Sequence, residues 1–135
     1  MGFMLDMLFT YGTLLSEFTN EAAVKLHQTA TLIGKAHCNG KMYLIKNQYP
    51  GAVLSDIKSD LIHGEIWALS DPNATFFHLD KYEECSSWDP LPHEYQRIQT
   101  QVFASNISYT VWIYEYIGIY DSFNRIESGI FKTMM

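Results

Sequence analysis

Cysteine is scarce in this chain: 135 residues carry two, Cys38 and Cys85. Two thiols cannot form a disulfide scaffold, and reduced cysteines are the rule in the cytoplasm, which is the expected location. Basic residues are also few, nine Lys and Arg against fifteen Asp and Glu, for a net charge of −6. They form no cluster, so the basic patch needed for nucleic acid or for an anionic membrane surface is missing. No apolar run approaches the ~20 residues that span a bilayer. The start, Met1-Gly2-Phe3-Met4-Leu5-Asp6, lacks the basic residues of a leader peptide, and Asp6 stands where a myristoylation signal wants Ser or Thr. No phosphate-cradling glycine loop and no G-x-S-x-G elbow occurs. The five histidines and two cysteines have no metal-ligand spacing, so no metal is expected.

Aromatic residues are plentiful instead: nine Tyr, eight Phe and three Trp. Tyr and Phe favour strands, and Tyr suits pockets because its ring is apolar and its tip polar. The length fits a single domain over residues 1–135. Strands are expected at 7–11, 30–37, 41–46, 51–55, 61–69, 94–104 and 108–117. Asn39-Gly40 reads as a hairpin turn between the second and third of these, and Ser105-Asn106 joins the last two. Helices are expected at 20–28, capped by Asn20, and at 72–84, with Asp71 as cap and Pro72 at the first position. Residues 86–92 are a proline-containing loop. The fold class is therefore α+β: a small, mostly antiparallel β-barrel of about six strands with two flanking short helices.

Two segments have the composition of a site. At Tyr11-Gly12-Thr13-Leu14 an aromatic strand stops at a glycine, and the amides that follow are able to converge on a carboxylate or an oxyanion. The same residues also read as an ordinary strand-ending turn. On the second helix Phe76, Leu79 and Glu83 stand at i, i+3 and i+7, so an inward apolar face draws Glu83 with it. A carboxyl there would be desolvated and its pKa raised, as a general acid/base requires. Alternatively Glu83 caps the apolar face and reaches water. Asp80 and Glu84 read as solvated neighbours.

These segments resemble motifs of the gamma-glutamylcyclotransferase-like family, in its gamma-glutamylamine cyclotransferase-like branch. Leu8-Phe9-Thr10-Tyr11-Gly12-Thr13-Leu14-Leu15 is similar to the family's Y-G-[TS]-L signature, and Leu61–Trp67 to its V-x-G-E strand. Leu79-Asp80-Lys81-Tyr82-Glu83 is similar to L-D-x-[YF]-E. Tyr49-Pro50 fits its Y-P element, Tyr95-Gln96-Arg97 its Y-x-R, and Arg125–Gly129 its terminal I-x-S-G. The matches run in order over residues 8–129, so residues 1–6 are extra and a chain starting at Met7 is expected to fold.

The resemblance implies a small barrel without metal or organic cofactor, acting on a small-molecule gamma-glutamyl substrate. The substrate's α-amino nitrogen attacks its own γ-carbonyl, giving 5-oxoproline and a free amine or amino acid. The enzyme would be of the amide-lyase or acyltransferase type. Glu83 would carry the proton, and Tyr11, Gly12, Thr13, Leu14, Tyr49 and Tyr95 would line the substrate pocket. The alternative is a non-catalytic small-anion or metabolite-binding domain of the same fold, and a thiol-dependent enzyme using Cys85 is a third reading.

Overall fold

A computed structural model describes residues 6–132. The chain runs β1 (Met7–Thr10), α1 (Glu21–Thr29), β2 (Ala30–Ile45), β3 (Tyr49–Leu54), β4 (Leu61–Leu69), α2 (Pro72–Tyr82), β5 (Tyr95–Ala104), β6 (Ile107–Tyr116), a short 3-10 turn (Ser122–Asn124) and β7 (Arg125–Ile126). Strands β2, β4, β1, β6 and β5 are neighbours in that order, and β5 returns to β2 at His37 and Phe103. That contact closes a five-stranded barrel. Among the described residues only the β1–β6 pairing is parallel. Strands β3 and β7 lie outside the barrel, both on the second half of β2.

Both helix caps form as the sequence predicts. The Asn20 side chain accepts from the Ala23 amide at 2.9 Å, and that of Asp71 from the Ala74 amide at 3.2 Å. The Ser105-Asn106 turn also forms, with both residues at positive φ, as a two-residue hairpin needs.

The Asn39-Gly40 hairpin does not exist. Both residues lie within β2, a single strand of 16 residues. Its first part pairs with β4 as far as Asn39, and from Gly40 onward it pairs with β3. Gly40 is needed for close approach, since a Cβ there would meet Ile62 Cδ1 at 2.6 Å and Val53 O at 2.9 Å. Asn39 spends its amide on the carbonyls of Ile57, Lys58 and Asp60 instead of closing a turn. The hairpin falls one segment later, where Lys46 and Asn47 both take positive φ and the Gln48 amide donates to Ile45 O at 2.9 Å.

Alternation along the strands builds two cores. Phe9, Cys38, Ile62, Ile66, Val102, Val111 and Ile113 fill the barrel. Leu8 and Trp67 belong to a second cluster with Leu26 of α1 and with Phe76 and Leu79 of α2. Strand β1 is therefore buried on both faces, which explains why Leu8 and Phe9, on opposite faces, are both apolar. The Asp6 carbonyl accepts from the Leu69 amide at 2.7 Å. The remaining residues of the extra N-terminal segment, 1–5, lie outside the described residues. Among the described residues no helix is long and apolar enough to cross a membrane.

Strands β1 and β4 approach so closely at Gly64 that a Cβ there would stand 2.0 Å from the Thr10 carbonyl oxygen. Gly64→Ala must push β1 off β4. It is expected to cost roughly 2–3 kcal/mol and to lower the melting temperature by several degrees, as thermal denaturation would read. An unchanged transition would mean that the two strands are not locked at this point.

Candidate active site

A cavity of about 330 Å³ opens where the end of β1, the end of α2 and the starts of β3 and β5 meet. That volume suits a small metabolite. Its wall includes all seven residues singled out in the sequence: Glu83, Tyr11, Gly12, Thr13, Leu14, Tyr49 and Tyr95. Thr10, Gln48, Pro50, Tyr82, Glu84, Glu94 and Tyr114 also line it, without having been marked as site residues.

Gly12 lets the loop after β1 lie against β3, because a Cβ would sit 2.7 Å from Pro50 Cγ. Beyond it the carbonyls are taken up one after another. Gly12 O accepts from the Leu15 amide at 3.1 Å, and Leu15 O from the Phe18 amide at 3.0 Å. Thr13 O accepts from Asn20 Nδ2 at 2.7 Å, so the cap of α1 also pins the loop. Leu14 O lies 3.0 Å from His27 Nε2, whose ring stacks on Trp67 at 4.7 Å. The loop is anchored further on by Glu65, which accepts from the Ser16 amide and hydroxyl. The amides of Gly12, Thr13 and Leu14 have no acceptor among the described residues. Backbone amides without a partner are the groups from which a loop anion receptor is built.

The side chains predicted to bind substrate divide into two kinds. The Tyr11 ring joins the barrel core, and its hydroxyl is occupied, donating to Tyr114 O at 2.5 Å and accepting from the Ala52 amide at 3.2 Å. Tyr95 donates to Pro50 O at 2.7 Å. Both bear on the cavity as walls. Tyr49 donates to Glu94 Oε2 at 2.8 Å, and Lys46 Nζ lies 3.0 Å from Glu94 Oε1. Burial acts against it, but these two donors hold the Glu94 carboxyl below its ordinary range. Thr13 and Tyr82 share a hydrogen bond of 2.7 Å between their hydroxyls.

Glu83 is the residue at which α2 stops. Its amide donates to Leu79 O at 2.8 Å, and Glu84 beyond it takes the left-handed φ of +56°. The residue keeps intermediate exposure, and its carboxyl lies on the cavity wall amid dense protein packing. Burial, then the charges of Asp80 and Glu84, push its pKa up to about 8. No hydrogen bond to its carboxyl occurs among the described residues. An acid in this condition holds and releases a proton near neutral pH.

Glu84 is exposed, as the helix phase predicts. Asp80 is not a solvated neighbour. Arg97 binds both of its oxygens, at 2.9 and 3.2 Å, and the Tyr114 hydroxyl donates to it at 2.7 Å. The helical spacing placed Asp80 off the apolar face without showing that β5 and β6 reach it. Burial and nearby carboxylates push the Cys85 thiol up to about 12, so it has little thiolate at neutral pH. Among the described residues no group of three or more His, Cys, Asp and Glu side chains could hold a metal.

A family model described as gamma-glutamyl cyclotransferase, AIG2-like, matches residues 8–132. Several solved structures share the fold. YkqA from Bacillus subtilis is 23% identical with a TM-score of 0.67; the match covers 94% of this chain but only 39% of that protein. An AIG2-like protein from Mus musculus is 21% identical with a TM-score of 0.66, over 88% of this chain and 81% of the other. Protein ytfP from Escherichia coli is 28% identical with a TM-score of 0.61, over 92% and 94%. No curated protein matches the chain.

The raised pKa of Glu83 has a consequence for stability. Between about 4.5, its ordinary value, and about 8 the folded protein keeps a proton that the unfolded chain has lost. Glu83 therefore lowers stability as pH rises through this window. Glu83→Gln should match the parent below pH 4.5 and exceed it increasingly up to pH 8, by on the order of 2 kcal/mol once solvent relaxation is allowed for. Urea unfolding across this range would show the divergence; parallel curves would mean that the carboxyl is solvated.

Proposed function

Because the chain belongs to the AIG2-like gamma-glutamyl cyclotransferase family, we propose that it cyclises the γ-glutamyl group of a small γ-glutamyl amide or peptide. The observation that carries this reading is the pairing across one cavity of a carboxyl whose pKa lies near 8 with a loop of three free amides. The substrate's α-carboxylate sits on the amides of Gly12, Thr13 and Leu14. Its α-amino nitrogen is then held facing Glu83, with the γ-carbonyl next to it.

The amino nitrogen attacks the γ-carbonyl carbon, forming the new C–N bond of a five-membered ring. Glu83 takes the proton that this nitrogen loses. The tetrahedral centre collapses, the original amide C–N bond breaks, and Glu83 returns the proton to the departing nitrogen. The products are 5-oxoproline and a free amine or amino acid. Atoms balance without water or a redox partner.

Nucleophile and electrophile belong to one molecule, so much of the barrier is removed by holding the chain bent. What is left for the protein is to carry one proton from the attacking to the departing nitrogen and to place one carboxylate. The cavity has a group for each.

Release of 5-oxoproline from a panel of γ-glutamyl compounds tests the reading. Glu83→Gln keeps the size of the side chain but cannot exchange a proton, and it should lower the rate on the order of 10²–10⁴-fold with the fold intact. Glu127→Gln, at an exposed carboxylate, should behave as the parent. In the parent the rate should climb with pH up to about 8 as Glu83 ionises. Turnover undiminished in Glu83→Gln would remove the acid/base role. Binding without turnover of any γ-glutamyl compound would make this a small-anion or metabolite-binding domain.

A further inference from the structure

Glu83 stands at the end of a helix, yet its own carboxyl has no hydrogen bond to hold it among the described residues. Its position must come from what fixes the end of α2. Phe76 and Leu79 bury the helix face. One turn before Glu83, Asp80 is gripped by Arg97 through two hydrogen bonds of 2.9 and 3.2 Å. The guanidinium is itself held, lying 4.1 Å from the centre of the Phe76 ring and 4.5 Å from that of Trp112. Tyr114 donates its hydroxyl to Asp80 at 2.7 Å, and its backbone carbonyl accepts the Tyr11 hydroxyl. The Asp80 carbonyl also closes the turn beyond Glu83 by accepting from the Cys85 amide at 2.8 Å. A single network thus runs from Arg97 through Asp80 and Tyr114 to the residue that leads into the amide loop.

We propose that Arg97 is a positioning residue for Glu83, acting through Asp80 to fix both where the carboxyl sits and how much negative charge it faces. The proposal rests on the acid/base reading of Glu83 given above. After burial itself, Asp80 is the largest influence on Glu83. With Arg97 in place, part of the Asp80 charge is spent on the guanidinium. Without Arg97 the full charge of Asp80 would act on Glu83. Arg97 and Asp80 therefore have opposite effects on Glu83, although they form one ion pair.

The other groups around Glu83 do not blur this. From its own segment Glu84 raises it, while Tyr82 and Cys85 are pushed upward by burial and stay neutral. Tyr11 from β1, Tyr95 from β5 and Tyr114 from β6 are likewise pushed far up by burial. Glu94, at the start of β5, is held ionised by Lys46 and Tyr49 from the β2–β3 side.

The test compares Arg97→Gln, Asp80→Asn and Arg97→Lys with the parent. Two quantities are read: the Glu83 carboxyl by carbon-13 NMR titration, and the pH dependence of 5-oxoproline release. Arg97→Gln should move the Glu83 titration up by about one pH unit, and Asp80→Asn should move it down by a similar amount. At pH 7 the upward shift should lower kcat/KM about tenfold, by depleting the carboxylate. Arg97→Lys keeps the charge but loses the fork, and should recover most of the titration shift. A purely structural pair would give two destabilised variants with Glu83 unmoved, or moved in the same direction, and that result overturns the proposal. If Arg97→Gln does not fold, Asp80→Asn decides alone: a titration that fails to fall refutes it. Shifts of opposite sign without turnover of any γ-glutamyl compound would uphold the network and reject the enzyme. Turnover with an unmoved titration would do the reverse.

Discussion

The arrangement depends on a carboxyl group set on a cavity wall deep in the protein without a cation of its own. Burying an ionised carboxyl is unfavourable, so Glu83 holds its proton up to about pH 8. The guanidinium at the same helix end is bound to another acid. Arg97 neutralises Asp80, a residue of the same helix end. Had Arg97 paired with Glu83, the carboxyl would be a permanent anion in an ion pair, of little use for moving protons. Arg97 instead fixes the helix end and leaves the acid free to titrate.

The second half of the cavity follows from the topology. Strand β1 is buried on both faces in the middle of the barrel and delivers the chain directly to the cavity at Gly12. The loop beyond β1 is then tied from three directions: Asn20 at the start of α1, His27 later in α1, and Glu65 on β4. Each tie except the Glu65 carboxylate engages a carbonyl, and the amides of Gly12, Thr13 and Leu14 are what remains. The rigid part of the fold thus fixes the loop that the proposed function assigns to the substrate's carboxylate. The helix end and the loop are coupled by the Tyr11–Tyr114–Asp80 contacts, so a disturbance of one is felt by the other.

Much of this was legible in the residues, and the failures share a cause. Local rules found what local rules decide: the Asn20 and Asp71 caps, the Ser105-Asn106 turn, and the inward drift of Glu83 from the phase of Phe76 and Leu79. The barrel and the seven cavity residues followed from strand count and from the family resemblance. What was missed depends on partners distant in sequence. Asn39-Gly40 has hairpin chemistry, but the side chain of Ile62 and the carbonyl of Val53 leave room only for a glycine there, and the strand passes through. Asp80 looks solvated until Arg97 and Tyr114 arrive from strands 17 and 34 residues away. Tyr11 lines the cavity as the family resemblance implies, but nothing in the sequence shows that its hydroxyl is spent on the backbone of β6 and β3. No pattern in the helix containing His27 indicates that it braces the loop, because the carbonyl it reaches belongs to Leu14.

The most direct measurement is the structure of the protein with 5-oxoproline, the expected product, in the cavity. The account predicts the ring carboxylate on the amides of Gly12, Thr13 and Leu14, and the ring nitrogen within hydrogen-bonding distance of the Glu83 carboxyl. A ring bound the other way round, with its nitrogen turned from Glu83 and its carboxylate on another part of the wall, would contradict it.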